Sequence, residues 1–155
     1  DGVTPNLQGI LNVTGIQTQA KGTDPVFDAV LKAMTKVRVG GRAQPSAVVL
    51  HPNDWQEIRL TRTSDGVYIL GNPSDEAPTR LFGLPVAQSD AIAEGTGLTG
   101  DFATFFQIFE RRGIEVEVSN SHSDFFTKGK QMIRADMRAV NVTFRPAAFA
   151  TITGI

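Results

Sequence analysis

Residues 46–73 read SAVVLHPNDWQEIRLTRTSDGVYILGNP, and the motif FGLPV follows at 82–86. Ala47, Val48, Val49 and Leu50 make a short, β-branched apolar run suited to an interior strand. His51-Pro52 ends that run, and Asn53 or Asp54 is expected to begin a short helix. Trp55 and Ile58 fall on one face of the helix, while Arg59 and Arg62 point toward solvent. Ser64-Asp65-Gly66 is a turn signal, and residues 67–70 are expected as a second strand. Gly71-Asn72-Pro73-Ser74 then opens a polar excursion to Arg80, expected as a surface loop. Nothing in the stretch is arranged for chemistry. Trp55 is expected to anchor the core.

Upstream, residues 1–22 read as an extended lead-in with one weak strand near 15–18. A helix is expected next, capped by Thr23 or Asp24, with Pro25 at its first position. Phe27, Val30, Leu31, Met34 and Val37 recur at helical spacing on one face. Gly40-Gly41 stops the helix, and Lys36 and Arg38 suit the C-terminal end of its dipole.

Downstream, residues 82–88 are expected as a strand and 94–100 as a glycine-rich loop. Phe102, Phe105, Phe106 and Phe109 suggest a strand buried on both sides, and Arg111-Arg112-Gly113 suggests a turn. Residues 114–119 alternate strictly and predict a half-exposed strand. From Ile133 to Ala139 the odd positions are apolar and Arg134, Asp136 and Arg138 are charged. Val140, Val142 and Phe144 then invert the parity, so one long strand changes the face it buries. A bulge would do this, as would passage between two small cores. Pro146 breaks the run before a closing strand over 147–155. The pattern favours an α+β chain of two subdomains sharing a strand.

The chain has 155 residues, 41% of them hydrophobic and 20% charged, with a net charge of −1. That is the composition of a folded chain able to bury one good core. It supplies no bulk field to attract nucleic acid or an anionic membrane. There is no cysteine, which excludes disulfides, thiolate metal sites and a thiol nucleophile. No apolar run approaches the roughly 18 residues of a membrane span, and no signal-peptide pattern is present. Because the sequence starts at Asp1 without an initiator Met, it is expected to be part of a longer chain.

Tests for chemistry come out empty. Gly95-Thr96-Gly97-Leu98-Thr99-Gly100 matches G-x-G-x-x-G literally, but lacks the preceding strand and following helix that carry a pyrophosphate. His51 and His122 are far apart and lack metal-ligand spacing. Asp54 reads as a helix-start carboxylate, and Glu115 and Glu117 read as a solvated strand face. Arg111, Arg112, Lys128, Lys130, Arg134 and Arg138 make a basic region interleaved with Glu110, Glu115, Glu117, Asp124 and Asp136, where ion pairs between subunits compete with phosphate contact. No catalytic residue, cofactor or metal site is expected.

Val49-Leu50-His51-Pro52-Asn53-Asp54-Trp55, Tyr68-Ile69-Leu70-Gly71-Asn72-Pro73 and Phe82-Gly83-Leu84-Pro85-Val86 resemble, in order and spacing, the major capsid proteins of tailed bacteriophages, with their Hong Kong ninety-seven-like fold. The resemblance continues through Gly100-Asp101-Phe102, Val116-Glu117-Val118-Ser119, Asp124-Phe125-Phe126 and Phe144-Arg145-Pro146. It implies an axial domain of residues 1–103 and 145–155, with a mixed sheet flanked by helices, and a partial peripheral domain of 104–144. It also implies that the family's N-terminal arm, extended loop and spine helix lie upstream of Asp1. One member crosslinks its subunits through a Lys, an Asn and an assisting Glu. Aligned without gaps, the Asn position falls on Gly129 and the Glu position on Asp136, so that isopeptide chemistry is expected to be absent.

The resemblance thus implies a structural subunit of an icosahedral phage or prophage shell, located in the virion and assembled in the bacterial cytoplasm. Its partners are other copies of itself, with packaged double-stranded DNA only indirectly involved, no membrane and no small-molecule substrate. Candidate subunit contacts are Asn72, Asp75, Glu76 and Arg80 in one loop, Asp90 and Glu94 in another, and the charged face Arg134, Asp136 and Arg138. The alternatives are the shell protein of an encapsulin-type compartment and, more distantly, a small hydrolase.

Overall fold

A computed structural model describes residues 7–71 and 80–155. Among the described residues, eight strands form two sheets, accompanied by three α-helices. The larger has six strands in the order β1 (Gln17–Ala20), β8 (Phe149–Thr153), β5 (Thr96–Gly100), β2 (Ala47–Leu50), β4 (Leu84–Gln88) and β3 (Arg80–Leu81). β1 runs parallel to β8 and β2 parallel to β4, whereas the remaining neighbours are antiparallel. The second sheet is a two-stranded antiparallel ribbon of β6 (Phe106–Ser119) and β7 (Met132–Thr143).

One face of the six-stranded sheet is covered by α1 (Val26–Val39) and α2 (Pro52–Leu60). Ala29, Val30, Ala33, Met34 and Val37 of α1 meet Trp55 and Ile58 of α2 over Val48, Leu50, Val86, Ala150 and Ile152. The opposite face carries a smaller cluster of Ile92, Leu98, Ala148 and Phe149, against which Ile10, Val49, Phe102 and Phe105 pack. Alternation along β8 serves both layers, since Phe149 faces one cluster and Ala150 and Ile152 the other. Trp55 is buried in the larger cluster.

Several local expectations are corrected. Pro25 is the N-cap of α1 rather than its first residue, and no side chain caps that end; Asp24 instead reaches Lys32 at 2.5 Å. Leu31 is 44% exposed, because the small Ala29 and Ala33 occupy the stripe that meets the sheet. α2 is capped by His51, whose Nδ1 accepts the N–H of Asn53, and Pro52 takes its first position. Residues 67–70 form no strand: Tyr68 makes a single bridge to Arg62, and Val67 and Ile69 are exposed.

The expected strand over 82–88 is the second arm of a hairpin. Phe82 and Gly83 form its two-residue turn with φ of 50° and 80°, the left-handed geometry that matches the twist of the flanking strands. The expected glycine-rich loop is strand β5, nearly all buried. A Cβ on Gly97 would lie 2.9 Å from Leu50 Cδ2, and one on Gly100 would overlap the Phe149 ring. Glycine is used there for close packing, with neighbouring side chains filling the volume.

The phenylalanine-rich segment begins as a helical turn, α3 (Phe102–Phe105), capped by Asp101 through the N–H of Thr104. It becomes β6 only at Phe106, and Phe109 is exposed rather than buried. Arg111-Arg112-Gly113 is not a turn: β6 runs through it with register shifts between Glu110 and Arg112 and between Arg112 and Glu115. Each shift places one extra β6 residue against β7. β7 itself is unbroken, so the parity change near Ala139 is matched by bulges in its partner. Residues 114–119, expected to be half-exposed, are exposed throughout.

Candidate contact surfaces

The ribbon's register decides which side chains share a face. Arg112 pairs with Arg138, Glu115 with Asp136 and Glu117 with Arg134. All six therefore project from one face of the distal ribbon. Arg134 donates to Glu117 Oε2 at 2.7 Å, and its Nε lies 3.4 Å from Asp136 Oδ1, an ion-pair separation without hydrogen-bond geometry. Arg112 pairs with Asp136 and lies 3.4 Å from Glu115. Three carboxylates are thus shared between two guanidiniums within the chain. Arg138 has no acidic partner among the described residues.

The other distal face is apolar. Ile114, Val116, Val118, Ile133 and Met137 are all more than half exposed. A ribbon of two strands is marginal alone, and a contiguous apolar face on it marks a surface that another element covers. The alternation of 114–119 announces this face; that neither side is covered by the described residues is visible only in the structure.

Of the other predicted contact residues, Asn72, Asp75 and Glu76 lie outside the described residues. Arg80 opens edge strand β3 and is exposed. Asp90 and Glu94 are exposed on the connection from β4 to β5, and neither has an ion-pair partner among the described residues. These two adjoin the six-stranded sheet, whereas Arg134, Asp136 and Arg138 belong to the ribbon. Arg111, which the sequence places in a basic region where ion pairs between subunits compete with phosphate contact, is exposed on β6. It lines an open cavity of about 350 Å³ with Arg138, Ala139 and Val140.

Groups weighed for chemistry have structural positions. Both carboxylate oxygens of Asp54 accept the N–H of Gly95, at 3.1 and 3.0 Å. Glu115 and Glu117 are held by arginines. His122 stacks edge-on against Phe125 in the turn between β6 and β7. Among the described residues, no three His, Asp or Glu side chains are grouped to hold a metal ion, and no helix is long and apolar enough to cross a membrane. Gly129 sits in the same turn with φ of 62°.

The phage capsid family matches residues 1–154. The major capsid protein of Enterobacteria phage HK97 is 33% identical over 150 residues, which are 96% of this chain and 39% of that protein. The chain therefore spans well under half the length of that relative. The capsid of an empty GTA particle superposes with a TM-score of 0.79 at 19% identity, covering 99% of this chain and 57% of its counterpart. A chain from Microbacterium phage Oxtober96 gives 0.75 at 19% identity, covering 88% and 50%. A virus-like particle from Pyrococcus furiosus gives 0.65 at 11% identity, covering 92% and 57%. These structural likenesses extend over both sheets and show a shared fold. With the family match running through nearly every residue, the chain belongs to the phage capsid family.

Proposed function

We propose that this protein is a structural subunit of an icosahedral phage or prophage shell, and that it works by associating with copies of itself rather than by catalysis. The observation that carries the reading is the family match over residues 1–154, joined to 33% identity with a major capsid protein. The exposed apolar face of the ribbon supports it, because such a face is expected to be covered in an assembly. Many modest contacts repeated around closed symmetry gain stability through multivalency.

In this reading the six-stranded sheet and its helices form the axial domain, residues 1–103 and 145–155, and residues 104–144 belong to the peripheral domain. The strand membership of the two sheets supports that division. Subunit contacts are assigned to Asn72, Asp75, Glu76 and Arg80, to Asp90 and Glu94, and to the face of Arg134, Asp136 and Arg138. The shell assembles in the bacterial cytoplasm and encloses double-stranded DNA, which is a partner of this chain only indirectly. Gradient sedimentation of the protein produced from its whole gene tests the reading. Particles of megadalton size are expected, and a protein remaining monomeric under all assembly conditions would overturn it.

A further inference from the structure

We infer that Arg111 and Arg138 together form a receptor for a carboxylate on a second copy of the chain. The inference rests on the shell-subunit reading and names a contact within it. Both side chains are exposed and line the same cavity, with Ala139 and Val140 as its apolar wall. Neither has a hydrogen-bond or ion-pair partner among the described residues. Their neighbours differ: Arg112 and Arg134 are neutralised by Glu115, Asp136 and Glu117. The adjacent acid, Glu110, does not compensate them, because its Oε1 lies over Gly113, 3.2 Å from where a Cβ would stand.

The bulge explains how the pair arises. Between Glu110 and Arg112 the register advances by two residues on β6 and one on β7, which leaves Arg111 outside the ladder beside the step from Ala139 to Arg138. Two arginines lining one cavity beside Ala139 and Val140 suit a planar carboxylate received through fork-shaped donors. A second copy supplies the anion: Asp90 and Glu94 are exposed carboxylates without ion-pair partners among the described residues. The net charge of −1 gives no field to hold a phosphate polymer instead.

The test uses shells assembled from the full-length protein. In R111E/R138E, with folding verified by circular dichroism, shell yield is expected to fall about tenfold or more, since each lost pair recurs in every subunit. In shells mixed from light and heavy isotope-labelled R138K, a carbodiimide is expected to join the introduced amine to an Asp or Glu of the opposite label. Wild-type yield in the double variant, or no crosslink between labels through that amine, would each overturn the inference. Absence of shells from the wild type would instead overturn the shell reading itself.

Discussion

The carboxylate of Asp54 is bound to the backbone N–H of Gly95, with its two oxygens at 3.1 and 3.0 Å across 41 positions of sequence. The contact fastens the first turn of α2 to the entry of β5. Asp54 is 4% exposed, and its loss leaves the part-buried N–H of Gly95 without this acceptor. Asp54→Ala is expected to lower stability by about 1–3 kcal/mol, read as a reduced denaturation midpoint. An unchanged midpoint would show that the tie contributes nothing.

Gly100 marks the tightest place in the sheet. A side chain there would overlap the Phe149 ring and stand 2.8 Å from the Ala148 carbonyl oxygen. Phe149 in turn is fully buried and packs edge-on against Phe102 at 5.3 Å. Gly100→Ala is expected to cost about 1–3 kcal/mol through overpacking. A neutral effect in urea denaturation would mean that the ring moves freely.

The charged ribbon face is expected to matter little to the isolated chain. Arg134 and Glu117 are more than 60% exposed in their side chains, and exposed ion pairs contribute less than about 1 kcal/mol. Glu117→Gln should leave the thermal midpoint nearly unchanged. A large drop would show the network to be a structural element of the fold.

Shells of this protein are expected to be held without covalent crosslinks. Residue 129 is glycine, without an amide side chain, and Asp136 is engaged by Arg112 and Arg134. Boiling assembled particles in detergent should release a single band of subunit mass on a gel. A ladder of multimers would contradict this.

The legible parts of the sequence were those whose signals are local. Ala47–Leu50 is a strand at the expected bounds because four apolar residues sit between Pro45-Ser46 and His51-Pro52. The misread parts depend on distant partners. Val67 and Ile69 alternate as a strand does, yet only Tyr68 finds a pairing residue. Gly95 to Gly100 looks like a loop because the atoms that make it a strand's core belong to Leu50, Ile152 and Phe149. The register shifts between Glu110 and Arg112 and between Arg112 and Glu115 follow from how β6 meets β7, which no local pattern encodes. The contact candidates suffered likewise: Arg134, Asp136 and Arg138 look equivalent along the chain. Cross-strand register closes the first two into ion pairs and leaves the third open.

The most direct measurement is electron microscopy of particles purified after producing the protein from its whole gene, with their contents analysed. Closed icosahedral shells able to enclose DNA are predicted. Shells filled with a protein cargo would point instead to an encapsulin-type compartment. Dispersed monomers with no closed particles would contradict the shell-subunit role.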